Sequence, residues 1–329
     1  MDSLTALDHC LQAALRDIAP APAEPVALSD ALGAVLAEPL MFPCDMPPTA
    51  QALRDGFAVA SLELTGASAG VPVALGAPLH VLPADPLPPG TDAVLPQDGV
   101  EITATGCDAI RSVGPGHGVR RAGHDGRAGT LMAPAGTFVS NRLGLVAALA
   151  GLTQGRIRRP RVAVELPDLV QARFACAFLT GLGATIVTDA PRHLILRAAV
   201  GSSPCLALAP GETAWLGREG AALVLSVPRR FDGMVAACLA LGVPAMAALT
   251  GSAPLSVERP LTRKLASALG MADLVLLTRQ GASWHPGPTG AVTLAGLAAA
   301  DAFAILPPDS EGLPAGAPLA GISLSSPFG

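Results

Sequence analysis

The chain of 329 residues contains no tyrosine and only two tryptophans, so few flat rings are available to stack bases or sugars. Lysine is nearly absent. Lys264 stands alone among 21 basic residues, against 26 acidic ones, and the net charge is −5. A nucleic-acid partner needs a clustered basic field, and this balance supplies none. The one basic run, residues 156–161, is broken by Ile157 and Pro160 and reads as a solvated loop edge. The six cysteines (10, 44, 107, 176, 205 and 238) form no Cys-x-x-Cys and have no His-x-x-x-His beside them, which argues against zinc. They read as buried or idle thiols of a reducing cytosol. Met1-Asp2-Ser3-Leu4 lacks the basic start of a secretory signal. The longest apolar helix expected, Leu143–Leu152, is too short to cross a bilayer. The expectation is a soluble, cytoplasmic protein with neither a nucleic-acid nor a membrane partner.

Apolar residues are plentiful, at 50 % against 14 % charged, so the chain can bury a core, and its length suggests two or three domains. Leu4, Leu7, Leu11, Ala14, Leu15 and Ile18 recur at helical spacing and predict a helix over 3–18. Ser29-Asp30 offers N-cap chemistry for a second helix reaching about Glu38. Short β-type runs (Val71–Leu75, Leu79–Leu82, Ala93–Leu95, Val100–Thr103) then alternate with turn residues. A helix follows from Asn141 to Ala150. Strands at Arg161–Val164, Ala184–Thr188, His193–Leu196 and Ala221–Val227 alternate with helices at 169–182 and 232–242, the signature of a small α/β sheet. Further β runs at Asp273–Thr278, Val292–Leu294 and Ala302–Leu306 close the chain. The expected fold class is α/β plus all-β, an elongated multi-domain chain. Residues 1–42 with 140–159 make a helical arm, 43–139 a β-domain, 160–254 a shortened α/β domain and 255–329 a closing β-domain.

Four ordered blocks carry a resemblance. Ala27-Leu28-Ser29-Asp30-Ala31-Leu32-Gly33-Ala34-Val35-Leu36-Ala37-Glu38 is the first. Pro43-Cys44-Asp45-Met46-Pro47-Pro48 with Arg54-Asp55-Gly56-Phe57-Ala58-Val59 is the second, and residues 85–97, Asp-Pro-Leu-Pro-Pro-Gly-Thr-Asp-Ala-Val-Leu-Pro-Gln, are the third. The fourth and most specific runs Gly116-His117-Gly118-Val119-Arg120-Arg121-Ala122-Gly123-His124-Asp125, through Gly129, to Pro134-Ala135-Gly136-Thr137. In this order they resemble the molybdopterin molybdenumtransferase family, of the MoeA and gephyrin E-domain type. The resemblance is strong over residues 27–160, looser over 255–324, and covers nearly the whole chain.

What the resemblance implies is a part in molybdenum cofactor biosynthesis: insertion of molybdate into molybdopterin or its adenylylated form, with Mg²⁺ held by carboxylates and phosphate oxygens. It implies a homodimer in which β-domain acids of one subunit face a pterin pocket on the α/β domain of its mate. A heterodimer with a full-length family member and a recipient molybdoenzyme are the further partners it suggests. Asp55 and Asp125 are the two retained acids, for catalysis and for Mg²⁺; the alternative is that each caps the turn before the next glycine. Arg120 and Arg121 either greet an oxyanion or pair with acids of the β-domain.

Departures gather where the chemistry should be. Ala50-Gln51-Ala52-Leu53-Arg54 stands in place of the family's Asp-Asn-Ser-Ala-Met, Pro83 in place of a strand-end threonine, and His124 in place of a glutamate. After Val162-Ala163-Val164 the family's Ser-Thr-Gly-Asp-Glu-Leu reads Glu165-Leu166-Pro167-Asp168-Leu169, leaving Glu165 or Asp168 as the substitute acid. Of the phosphate-cradling Ser-Ser-Gly-Gly loop only Gly201-Ser202-Ser203 remains. The Leu-Pro-Gly-Asn-Pro turn aligns with Val227-Pro228-Arg229-Arg230, two arginines at an expected helix start. They serve an anion site, through the helix dipole and bidentate guanidinium bonds, or face solvent beside Asp232. The sequence therefore carries two functional readings. One is an active molybdenumtransferase; the other is an inactive cofactor-binding carrier, chaperone or scaffold of the same family.

Overall fold

The computed structural model describes residues 4–103, 106–200 and 205–324. The chain forms two compact units. The first contains Met1–Pro39, Pro134–Val146 and Thr153–Gly329, the second Leu40–Ala133 and Ala147–Leu152. Helices are few: α1 (Leu7–Leu15), α2 (Asn141–Leu149), α3 (Leu169–Gly181), α4 (Phe231–Thr250) and α5 (Leu294–Ala299).

In the first unit, a five-stranded sheet is built from β1 (Arg161–Glu165), β2 (Thr185–Ile186), β3 (Leu194–Ala198), β4 (Trp215–Glu219) and β5 (Ala222–Val227). Its order is β2-β1-β3-β5-β4, parallel except for β4. Alternate residues Leu194 and Leu196 of β3 and Leu223 and Leu225 of β5 are fully buried. They meet Ala175 and Leu179 of α3 and most of α4 in one core, which Leu7, Cys10 and Ala14 of α1 also join. Those three lie on one helical face. α1 is shorter than the span 3–18. Thr5–Ala6 leaves the helix to pair in parallel with Leu206–Ala207, and Asp17 at φ 58° stops the other end.

α4 corrects the sequence reading twice. Instead of ending near residue 242 it continues through Pro244 to Thr250, widening to a π-turn over Cys238–Gly242. Pro244 has no N–H and crowds the carbonyl four residues back, which the wider turn accommodates. At 20 residues it, and not Leu143–Leu152, is the longest apolar helix among the described residues, long enough to cross a membrane. Yet 83 % of its apolar window is buried within the first unit, which marks a core helix.

The helix expected from Ser29 to Glu38 is absent. A single 3₁₀ turn spans Leu28–Asp30, Gly33 turns at φ 79°, and Val35–Leu36 pairs with Ile157–Arg158. Ala31, Ala34, Val35 and Leu36 are all fully buried, so sheet pairing overrides the local cap signal at Ser29-Asp30. The basic run is likewise no loop edge. Gln154–Arg158 is a strand, Arg156 pairs with Glu38 at 3.0 Å and donates to the Ala23 carbonyl, and Arg159 donates to the Asp30 carbonyl.

A seven-stranded sheet completes the first unit, ordered Thr5–Ala6, Leu206–Ala209, Ala272–Gln280, Ala302–Leu306, Pro318–Ser323 and Ser256–Pro260, with Ser283–Thr289 on the Ala272–Gln280 strand. Val292–Leu294, expected as a strand, is the entry to α5: Thr293 caps it by accepting the Gly296 N–H.

The second unit is all β apart from short helical turns and the end of α2. Gly56–Val59 pairs with both Leu79–Val81 and Ala93–Leu95. Gly106–Arg111 lies between Ser68–Gly76 and Val100–Thr103. Its core is Val59, Leu64, Ala67, Ala93, Leu95 and Ala109. Asp92 of the third block is structural: it accepts from the Ser61 N–H and hydroxyl, at 2.6 and 2.8 Å, and these bonds hold its carboxyl below the ordinary aspartate range.

Candidate functional site

In the second unit, Asp55 lies in the turn leading into Gly56–Val59. Gly56 is required there because a Cβ would stand 2.3 Å from the Leu95 carbonyl oxygen. Asp55 does not cap this turn through its side chain. His80 Nε2 is 2.7 Å from its Oδ1, and Gln97 Nε2 is 3.2 Å from both carboxylate oxygens and from His80 Nε2. Phe57 meets the His80 ring edge-on at 5.3 Å. The cluster is open to solvent, with Asp55 49 % exposed.

Asp125 has other partners. Arg120 reaches its Oδ1 through Nη2 at 2.6 Å and Nε at 3.1 Å. Among the described residues Arg121 has no side-chain hydrogen bond or ion pair. Val119–Arg120 pairs antiparallel with Gln51–Ala52, so the two acids leave this ladder at opposite ends. The Leu53 N–H bonds the Gly118 carbonyl on one side, and the Asp125 N–H bonds the Met46 carbonyl on the other, both at 2.8 Å. No hydrogen bond among the described residues links Asp55 with Asp125.

In the first unit the two substitute acids are both engaged. Glu165, at the end of β1, pairs with Arg192 at 2.7 Å. Asp168 caps α3 by accepting the Gln171 N–H at 2.8 Å. Ser202 and Ser203 lie outside the described residues.

The remaining candidates converge. Beyond the carboxyl ends of β3 and β5, a crevice of about 340 Å³ is lined by Ala199, Pro210–Thr213, Pro228–Arg230 and Gly233. Ligands of open α/β sheets sit in this position, outside the strand ends and before a helix. The crevice opens onto the N-terminal turn of α4, where free N–H groups favour anions. Asp232 answers part of that field itself, accepting the Gly233 N–H at 2.8 Å and pairing with Arg230. The mutual bond lowers the Asp232 pKa and raises that of Arg230. Arg229 differs. Its guanidinium has no partner among the described residues, while its carbonyl accepts from Gln171 Nε2 at 2.7 Å.

Three neighbours escaped the sequence reading. His80 and Gln97 meet Asp55 only through strand pairing, and Glu212 enters the crevice from the loop after Leu206–Ala209. No local spacing signals any of them.

Residues 5–151 match the family described as the MoeA N-terminal region, domains I and II. The fold is similar to a molybdopterin biosynthesis MoeA protein from Pyrococcus horikoshii OT3, with a TM-score of 0.78 at 19 % identity, covering 98 % of this chain and 100 % of that one. A second Pyrococcus horikoshii structure of a molybdopterin biosynthesis MoeA protein gives 0.70 at 20 % identity, covering 98 % and 99 %. A molybdenum cofactor biosynthesis protein from Pyrococcus furiosus gives 0.61 at 16 %, covering 97 % and 99 %.

Proposed function

We propose that this chain, whose residues 5–151 match the MoeA N-terminal region and whose fold is similar to that of MoeA structures, is a MoeA-type protein with a role in molybdenum cofactor biosynthesis, binding molybdopterin, or its adenylylated form, in the α/β crevice. The observation that carries the reading is Arg229, a guanidinium without a partner among the described residues, in a crevice at the mouth of α4. A guanidinium fork matches a phosphate bidentately. Arg230, tied to Asp232, adds charge at a fixed place. Glu212 contributes a carboxylate, with one oxygen accepting the Gly211 N–H, that can accept N–H bonds from a pterin edge or hydroxyl bonds from a ribose.

Molybdate insertion is the second reading. The open Asp55–His80–Gln97 cluster favours it, because it sets a carboxylate and an imidazole together at the position of a family acid. In either reading the working form is a homodimer, or a heterodimer with a full-length family member, serving a recipient molybdoenzyme in the cytoplasm.

The test is calorimetric titration of the whole protein with molybdopterin and its adenylylated form. Saturable binding that Arg229→Ala weakens about tenfold supports the crevice; affinity indifferent to Arg229→Ala rejects it. Turnover of adenylylated molybdopterin with molybdate, lost in Asp55→Asn, would select the enzyme over the carrier.

A further inference from the structure

The family resemblance implies Mg²⁺ at Asp55 and Asp125, and the donor set can be judged against that ion. Mg²⁺ takes oxygen ligands in near-octahedral geometry, usually one or two carboxylates with waters and substrate phosphate oxygens. Asp55 presents its oxygens to two nitrogens, His80 Nε2 and Gln97 Nε2. Asp125 is engaged by the Arg120 guanidinium, which does not deprotonate, so a dication approaches a neutral pair. The two acids occupy opposite ends of one antiparallel ladder. In the first unit Glu165 is paired with Arg192 and Asp168 serves as a helix cap. These residues do not fit the ion.

We infer that the chain holds no Mg²⁺ at Asp55 or Asp125, and that Arg121 supplies the positive charge that a tetrahedral oxyanion meets on the second unit. The substitution is physically direct. A guanidinium offers several N–H donors in a plane and binds oxyanions without a metal, as a fixed charge on the protein. Arg121 has no side-chain hydrogen bond or ion pair among the described residues, whereas the charge of Arg120 is answered by Asp125. The molybdopterin-binding reading enters only in naming the oxyanion as a phosphate or molybdate.

The experiment uses the whole protein and two probes. Mn²⁺, a paramagnetic stand-in for Mg²⁺, is titrated and followed by electron paramagnetic resonance, alone and again with molybdopterin present. Absence of saturable Mn²⁺ binding at millimolar concentrations is expected. Sites that persist in both Asp55→Asn and Asp125→Asn also agree, since the metal then lies elsewhere. Saturable binding lost in either variant overturns the inference. Molybdate and inorganic phosphate are then titrated separately in EDTA, which tells the two anion sources apart. At least one is expected to bind, about tenfold more weakly in Arg121→Ala. Binding that requires Mg²⁺, that fails for both anions, or that Arg121→Ala leaves unchanged overturns the arginine assignment. Failure of molybdopterin to bind at Arg229 would sink the crevice reading and leave the Mn²⁺ result standing.

Discussion

Gln171 Nε2 donates to the carbonyl oxygen of Arg229 at 2.7 Å, fastening the first turn of α3 to the turn that precedes α4. The bond lets a residue outside the crevice lining position Arg229, whose guanidinium has no partner among the described residues. Gln171→Ala removes the donor and leaves the charge in place. A hydrogen bond of this kind contributes about 1 kcal/mol, so molybdopterin affinity should fall about fivefold. Calorimetry on the variant checks this, and an unchanged dissociation constant would show that the Arg229 turn holds itself.

Asp168 caps the same helix, and its role separates structure from chemistry. Loss of an Asp cap costs about 1 kcal/mol, and Asn caps about as well. Asp168→Ala should therefore lower the urea midpoint, while Asp168→Asn should keep both the midpoint and the crevice affinity. An Asp168→Asn protein of normal stability with its turnover abolished would instead identify a reacting carboxylate.

The Asp55-Gly56 pair that marks the second sequence block owes its glycine to packing. A Cβ at Gly56 would meet the Leu95 oxygen at 2.3 Å and the Val94 side chain at 2.9 Å, inside the ladder joining Gly56–Val59 to Ala93–Leu95. Backbone cannot yield as a flexible side chain does. Gly56→Ala should cost about 3 kcal/mol and weaken the second unit. Thermal unfolding of the variant measures it; a transition within a degree of wild type would mean that the strands part more readily than their contacts indicate.

Legibility in the sequence followed the range of the forces involved. Ala93–Leu95, Val100–Thr103 and Ala302–Leu306 are strands at the predicted residues, because local β-type runs and their flanking turns agree there with the tertiary pairing. Residues 28–36 misled for the opposite reason. Ser29-Asp30 offers N-cap chemistry, but Val35–Leu36 is captured by a strand more than 100 residues away. Gly242 and Pro244 are sound local stop signals, yet α4 passes through both, since the core around it accepts a π-turn. The site divided in the same way. Asp55, Asp125, Arg229 and Arg230 stand in recognisable blocks, whereas Gln97 reaches Asp55 across 42 residues and Glu212 enters the crevice from a separate loop.

The thiols test the packing of α4. Cys238 is fully buried in it, and burial pushes its pKa up to about 12; Cys10 is buried and raised for the same reason. Cys44 is exposed. Since the thiolate is the nucleophile, a maleimide at neutral pH should label Cys44 in the native protein and leave Cys10 and Cys238 unmodified until urea is added. Native labelling of Cys238, read by peptide mass, would show that the helix opens readily.

His193 supplies a pH dependence with a definite sign. Its Nδ1 accepts the Arg161 N–H at 2.9 Å where β1 starts beside β3, which requires that nitrogen to be unprotonated. Burial, and secondarily the charge of Arg161, lower its pKa below the ordinary 6.5. The folded protein thus holds the ring neutral at pH values where the unfolded chain already binds a proton. Above pH 6.5 both states are neutral at this position and the contribution is complete. As pH falls below 6.5, the unfolded state takes up the proton first and stability declines, until the folded-state pKa is passed and the loss levels off. Urea midpoints measured from neutral into mildly acidic solution should fall more steeply for wild type than for His193→Gln, which has nothing to titrate there. Parallel profiles would show that the ring is protonated as easily in the fold as out of it, and that its bond to β1 does not hold it neutral.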